Sequence, residues 1–434
     1  MMAVQLHEQS APGMKSELDL FSVPPTQVTA EQGSWSQIQL CNPVTDTGPY
    51  KFTISRDNMM LDLNKNFLRV KLSIVGADGA ALTDDPPVVA PINYIAATFF
   101  KQIIVKLGDK EVYNSGSLYP YQAYLETLLN YGSDTKNGQL SGGLWRTDTM
   151  SPDTLTDNPA FTYRAKMCKN SSDFEVVAPI HCDIFNQERY MLSNMPLSIE
   201  LHRNDDAFCL QSGAAVAYKL KVKDMQWYVR KVKIQDSLSL AMEQLMREQG
   251  MTAKYPIRRV KMVNRHMPQG IMSHMETNVF NGQLPRRLIF GLVASNSFNG
   301  TYLTSPLRFQ NNDMSEVCVW VGDQQHGPIR MNYGSNCYNL PFEMLFQGCG
   351  LAKEERSNGI SYISYKDWCC LYAFDLTPDN SDSAALQLLR EGSVNIEFRF
   401  NTALRSPVEL IVYGEFDNLI TVDWNRNVFF DYSV

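Results

Sequence analysis

The sequence predicts an all-β protein built as two tandem β-sandwiches, jelly rolls or Greek keys, with short inserted helices. Three observations lead there. The chain has 434 residues, more than the ~250–300 at which one hydrophobic core usually stops growing. Its clearest periodic segment alternates apolar and polar residues, the signature of a half-buried strand. Finally, three landmarks of the first half recur in the same order in the second.

Taken along the chain, residues 1–33 form a polar arm with Pro12-Gly13 and Pro24-Pro25 and little periodicity. Strands are expected at Ser36–Cys41, Tyr50–Ser55 and Phe67–Val75. In the last, Leu68, Val70, Leu72 and Ile74 alternate with Arg69, Lys71 and Ser73. Ile103–Tyr113 reads as a hairpin about Gly108-Asp109, because glycine supplies the positive φ of a tight loop. A helix follows: Pro120 suits its first turn, Tyr121, Tyr124, Leu125, Leu128 and Leu129 keep helical spacing, and Gly132 is placed to close it.

The second half repeats this grammar. Val317–Val321 runs into Gly322-Asp323, Pro341–Phe346 echoes Pro120–Leu125, and Ile396–Asn401 matches Ile199–Asn204. From Gly108 to Gly322, Pro120 to Pro341 and Ile199 to Ile396 the offsets are 214, 221 and 197 residues. One Gly-Asp turn would mean nothing; the ordered set indicates a duplicated domain. Ile234–Gly250 reads as a linker helix with Leu238, Met242, Leu245 and Met246 on one face. The first sandwich is therefore assigned to residues 34–233 and the second to 251–434. A parallel α/β sheet would need helices after most strands, and that alternation is missing.

Composition excludes several function classes. Thirty-nine basic against 46 acidic residues give a net charge of −7, which is no globally basic nucleic-acid binder. No window reaches the ~18–20 apolar residues of a membrane span. Met1–Leu20 lacks the apolar stretch of a signal peptide, so synthesis in the cytoplasm is expected. Nine cysteines form no C-x-x-C pair, which reads as reduced thiols rather than a disulfide framework or a zinc site. Phosphate-binding loops and G-x-S-x-G elbows are absent. His266 and His274 read as surface or satisfied histidines rather than ligands, and Asp84-Asp85 and Asp205-Asp206 as solvated turns rather than acid–base or calcium pairs. No catalytic, cofactor-binding or metal residue is assigned; the chain reads as a non-enzyme without cofactor or small-molecule substrate.

One stretch is lopsided. Residues 219–266 hold twelve Lys/Arg and four acids, a balance of +8 that leaves −15 on the rest. Lys219, Lys221 and Lys223 alternate and so share a strand face, while Arg258, Arg259, Lys261 and Arg265 follow the linker helix. Together they are the candidate contact for phosphates or an acidic neighbour, against the plainer reading of a solvated face balancing an acidic body. The 20 Tyr, 21 Phe and 6 Trp suit sandwich cores and interfaces more than base stacking.

Asp19-Leu-Phe-Ser-Val-Pro-Pro25, Phe99-Phe-Lys-Gln-Ile-Ile-Val-Lys-Leu-Gly-Asp109 and Tyr119-Pro-Tyr-Gln-Ala-Tyr-Leu-Glu-Thr-Leu-Leu-Asn-Tyr-Gly132 resemble the hexon-like major capsid proteins of Polinton (Maverick) elements and the related adintoviruses. Tyr413–Val428 is similar to that family's ending, so the likeness runs from residue 19 to 428. The resemblance implies a double jelly roll, a homotrimer whose six sandwiches form a pseudo-hexagonal capsomer, and an icosahedral virion shell. It further implies a penton or minor capsid protein, a maturation protease and a packaging ATPase as partners; packaged double-stranded DNA on the inner face is expected from the +8 imbalance of residues 219–266 alone. It carries no catalytic residues. The competing readings are a jelly-roll carbohydrate-binding or attachment protein, and a glycosidase on a sandwich scaffold, which would need two carboxylates ~5–9.5 Å apart.

Overall fold

A computed structural model describes residues 9–11, 13–83, 88–214, 216–378 and 385–432. The first half supplies eight principal strands: β1 (Ala30–Gln39), β2 (Tyr50–Ile54), β3 (Met60–Gly76), β4 (Phe100–Leu107), β5 (Lys110–Asn114), β6 (Phe174–Ala178), β7 (Leu197–Arg203) and β8 (Tyr218–Ile234). The second supplies β9 (Ala253–Met267), β10 (Ser273–Gln283), β11 (Arg287–Ala294), β12 (Met314–Val321), β13 (Gln324–Arg330), β14 (Leu371–Asp375), β15 (Glu391–Phe400) and β16 (Val408–Val422).

These strands form four antiparallel sheets. The first half has the orders β1-β8-β3-β6 and β2-β7-β4-β5, and the second β9-β16-β11-β14 and β10-β15-β12-β13. Adding eight to each strand number converts the first pair of sheets into the second. Two four-stranded sheets in this order make a jelly roll, and the chain contains it twice. Both Gly-Asp hairpins form: Leu107 pairs Lys110 with Gly108 at φ +59°, and Val321 pairs Gln324 with Gly322 at φ +58°. A side chain at either position would strain the same left-handed turn.

Each sandwich has its own aromatic centre. Trp227 of β8 lies edge-on to Phe52 of β2 (6.2 Å) and stacks on Phe185 (6.1 Å). Phe290 of β11 stacks on Phe374 (5.9 Å) and meets Phe398 of β15 edge-on (5.7 Å). Such pairs add to the area they bury.

The inserted helices lie where the repeat places them: α1 (Tyr119–Asn130) between β5 and β6, and α3 (Asn339–Gly348) between β13 and β14, with α2 (Asp236–Glu248) joining the halves. Their details correct the sequence reading. Gly132 does not close α1; Tyr131 ends it in an extended conformation, and Gly132 precedes a separate short helix, Ser133–Asn137. Ile234 belongs to β8 rather than to the linker helix, of which only Met246 is buried; Leu238 and Met242 are half-buried and Leu245 is exposed. The first strand opens at Ala30, inside the segment assigned to the arm. It was hidden because β1 is an edge strand with Glu31 to Trp35 all exposed, so no period-two pattern arises.

The two copies differ in what covers their helices. In α1 every residue from Tyr119 to Leu129 is buried, because the helix is packed between its own sandwich and the next. Tyr121 stacks on Phe298 (5.7 Å) and meets Phe309 (6.4 Å), both of the second half. In α3 only Pro341, Leu345 and Gly348 are buried.

Candidate functional site

A cluster of buried polar groups lies between the sandwiches. Glu126 of α1 binds the His181 ring at Nδ1 (2.8 Å) and accepts from Gln122 Nε2 (2.9 Å). Gln122 accepts in turn from the Tyr113 hydroxyl (2.7 Å), and the His181 backbone N–H donates to the Tyr119 hydroxyl (3.0 Å). Across the cleft, of ≈ 730 Å³, Arg286 pairs with Asp417 (3.3 Å) and Arg287 with Glu415 (3.6 Å). The Tyr413 hydroxyl donates to Glu415 (3.0 Å). Asp183 is pushed well above the ordinary carboxylate range, first by burial and then by the charge of Glu126. Lys136 is also buried: its Nζ donates to the carbonyls of Leu128 (2.6 Å) and Asn358 (2.5 Å), tying the halves together. Burial lowers its pKa to about 8.

Glu126, Glu415 and Asp417 each have a partner, whereas Asp183 Oδ1 is buried without a hydrogen-bond partner among the described residues. Glu126 is engaged by donors of the first half and Glu415 and Asp417 by donors of the second, which is how buried charge is made tolerable. Among the described residues no group of three or more His, Cys, Asp and Glu is placed to hold a metal. No sequence motif flagged this network, since His181 lies 55 residues from Glu126 and acquires meaning only when β6 ends beside α1.

The residues singled out from sequence are placed as follows. His266 binds Glu409 (2.7 Å) and His274 binds Glu276 (3.1 Å). Asp206 is ion-paired with Arg203 and accepts the Leu220 N–H (3.1 Å), so that acid pair anchors a turn. Asp84-Asp85 lies outside the described residues. Cys369 and Cys370 are both buried, with Cys370 Sγ 3.1 Å from the Tyr333 hydroxyl.

The seven basic residues divide between two sheets. Lys219, Lys221 and Lys223 alternate along the outer face of β8 and make no ion pair among the described residues. Arg258, Arg259, Lys261 and Arg265 lie on β9, the edge strand of the other sandwich. Arg259 lies over Phe416 (5.0 Å) and Tyr432 (4.8 Å) and donates to Asn418 (2.9 Å), while Arg265 pairs with Glu276 (3.0 Å). Arg258 lines the cleft. Nearness in sequence therefore joined two surfaces that the fold assigns to different sheets.

Two exposed surfaces were not foreseen. On the outer face of β1-β8-β3-β6, Trp35 packs against Phe67 (5.2 Å), which stacks on Tyr228 (4.8 Å). On and beside α3, Leu340 is 53% exposed and Ile363 66% exposed.

No family model matches the sequence. An uncharacterized protein of Caenorhabditis elegans is 26% identical over 426 residues, covering 94% of this chain and 99% of that one. Among solved structures, the chain is similar to the Sputnik virophage structure (TM-score 0.66, 12% identity, 100% of this chain and 95% of the other). It is also similar to the major capsid proteins of mavirus (0.58, 11%, 100% and 97%) and of Faustovirus (0.52, 8%, 92% and 92%). At these identities the likeness establishes the fold: a double jelly roll over nearly its whole length.

Proposed function

We propose that the chain is a major capsid subunit of the hexon-like type, acting by assembly and without catalysis. The observation that carries this reading is the duplicated sandwich, one eight-stranded order written twice in one chain and shared end to end with the capsid proteins named above. Physically, three copies of a two-sandwich chain supply six similar lateral faces, so threefold symmetry fills a sixfold position in a shell. Interfaces of this kind bury aromatic residues and exclude charge at their centres, which suits a chain with 11% aromatic residues. The residues resembling Polinton and adintovirus capsid proteins support placing it in that lineage, in the virion. A penton or minor capsid protein and packaged DNA would be its partners.

The test is the mass of the purified protein by light scattering, followed by negative-stain imaging. Three times the 49.2 kDa chain mass is expected, with particles of hexagonal outline or closed shells. A monomer under every salt condition overturns the proposal. The exposed Trp35–Phe67–Tyr228 stack would then favour the carbohydrate-binding alternative, which a glycan array would examine.

A further inference from the structure

A small cavity of ≈ 20 Å³ lies where the two halves meet, lined by Tyr124, Lys136, Trp145, Thr147 and Asp148 of the first half and by Asn358 of the second. Four of these residues carry a buried polar atom with no hydrogen-bond partner among the described residues: Trp145 Nε1, Thr147 Oγ1, Asp148 Oδ1 and Asn358 Nδ2. An unpaired buried polar atom is costly, so four of them around one cavity call for a common partner.

Three of the four are held in place. The Trp145 indole is stacked on Tyr124 (5.3 Å) and meets Tyr94 edge-on (5.5 Å), which fixes the direction of its N–H. Asn358 accepts the Ile360 N–H at Oδ1 (3.1 Å), and this identifies Nδ2 as the free end of the amide. Arg164 approaches Asp148 Oδ1 only to 4.0 Å, beyond hydrogen-bond reach, and its own Nε is engaged by the Pro91 carbonyl (2.8 Å). Burial raises the Asp148 carboxyl to about 6, so at neutral pH it is mostly ionised and its unpaired oxygen needs a donor.

Size and charge together select the occupant. The volume exceeds the ~10–15 Å³ that one water needs and leaves no room for a larger molecule. A cation would face the N–H groups of Trp145 and Asn358, and an anion the Asp148 carboxylate. Water has two donors and two acceptors to offer. It can accept from Trp145 Nε1 and Asn358 Nδ2 and donate to Asp148 Oδ1 and Thr147 Oγ1.

We propose that this cavity is a binding site for a single structural water, held by Trp145, Thr147 and Asp148 of the first half and by Asn358 of the second. Neither half carries the full set, so the water is bound by the junction and in turn joins it. It acts beside Lys136, whose Nζ reaches the Asn358 carbonyl (2.5 Å), so that one second-half residue is tied to the first half through its backbone and its side chain. The site goes beyond the capsid reading and holds whatever the chain assembles into.

Crystallography of the full chain, at a resolution that shows ordered solvent, tests the proposal. One density peak is expected in the cavity, within hydrogen-bond distance of at least three of the four atoms. An empty cavity, or the four atoms paired with protein groups instead, overturns it. Thermal melting of Thr147→Val gives a second readout, because the two cases differ in sign. Deleting a hydroxyl that has no partner leaves the melting midpoint unchanged or raises it, whereas deleting one that holds a water should lower it by about 1–3 °C. A Thr147→Val chain that melts at or above the wild-type midpoint therefore overturns the proposal. Thr147→Ser keeps the hydroxyl and is expected to retain the density peak that Thr147→Val weakens.

Discussion

Replacing Tyr121 by alanine is expected to lower the stability of the folded chain by about 3–5 kcal/mol, the range for deleting a buried aromatic side chain. Its ring is packed among Phe208, Phe298 and Phe309, two of them from the opposite sandwich, so the cavity opens at the junction where neither half can collapse to fill it. Denaturant unfolding followed by tryptophan fluorescence reads the loss. The phenylalanine variant gives the contrast. The Tyr121 hydroxyl is buried without a hydrogen-bond partner among the described residues, and an unpaired buried hydroxyl costs roughly 1–3 kcal/mol. Tyr121→Phe should therefore be neutral or stabilising. A large loss in that variant would show that the hydroxyl, rather than the ring, secures the junction.

Replacing Glu126 by alanine should cost about 2–5 kcal/mol. The carboxylate accepts from Gln122 and binds His181, so removing it leaves two buried nitrogen donors without an acceptor, each carrying its own desolvation cost. The charge of Asp183 would lose a neighbour that opposes it, which offsets part of the loss. Glu126→Gln keeps the shape and one carbonyl acceptor and should cost clearly less. Equal stability of the alanine variant and the wild type would mean that water replaces the carboxylate and that the network holds nothing.

Much of the architecture was readable because the sequence states it locally. Gly108-Asp109 and Gly322-Asp323 announce tight turns, Leu68 to Ile74 alternate as a half-buried strand must, and Pro120 and Pro341 mark two helix starts. The repeat then converted local signals into a global one. What stayed hidden depends on contacts between distant segments. Helical spacing suggested that α1 has one buried face, whereas Gln122, Glu126 and Thr127 on its polar side are buried as well, because a second sandwich covers it. The candidate basic residues were grouped by position in the chain, yet β8 and β9 belong to different sheets and Arg259 spends its charge on Phe416, Tyr432 and Asn418. The Glu126–His181 pair and the Trp35–Phe67–Tyr228 stack have no signature short of the strand register itself.

Helix α1 also decides where the molecule can bend. With both flanks of the helix filled and Lys136 stitched to carbonyls on either side, pivoting one sandwich against the other would open dry surface and strand a buried amine. Among the described residues the junction between the two sandwiches therefore opposes such a pivot. A closed shell made from the chain would then place its curvature in the seams between subunits, and shells of different radius would differ in their seam angles while the subunit stays the same.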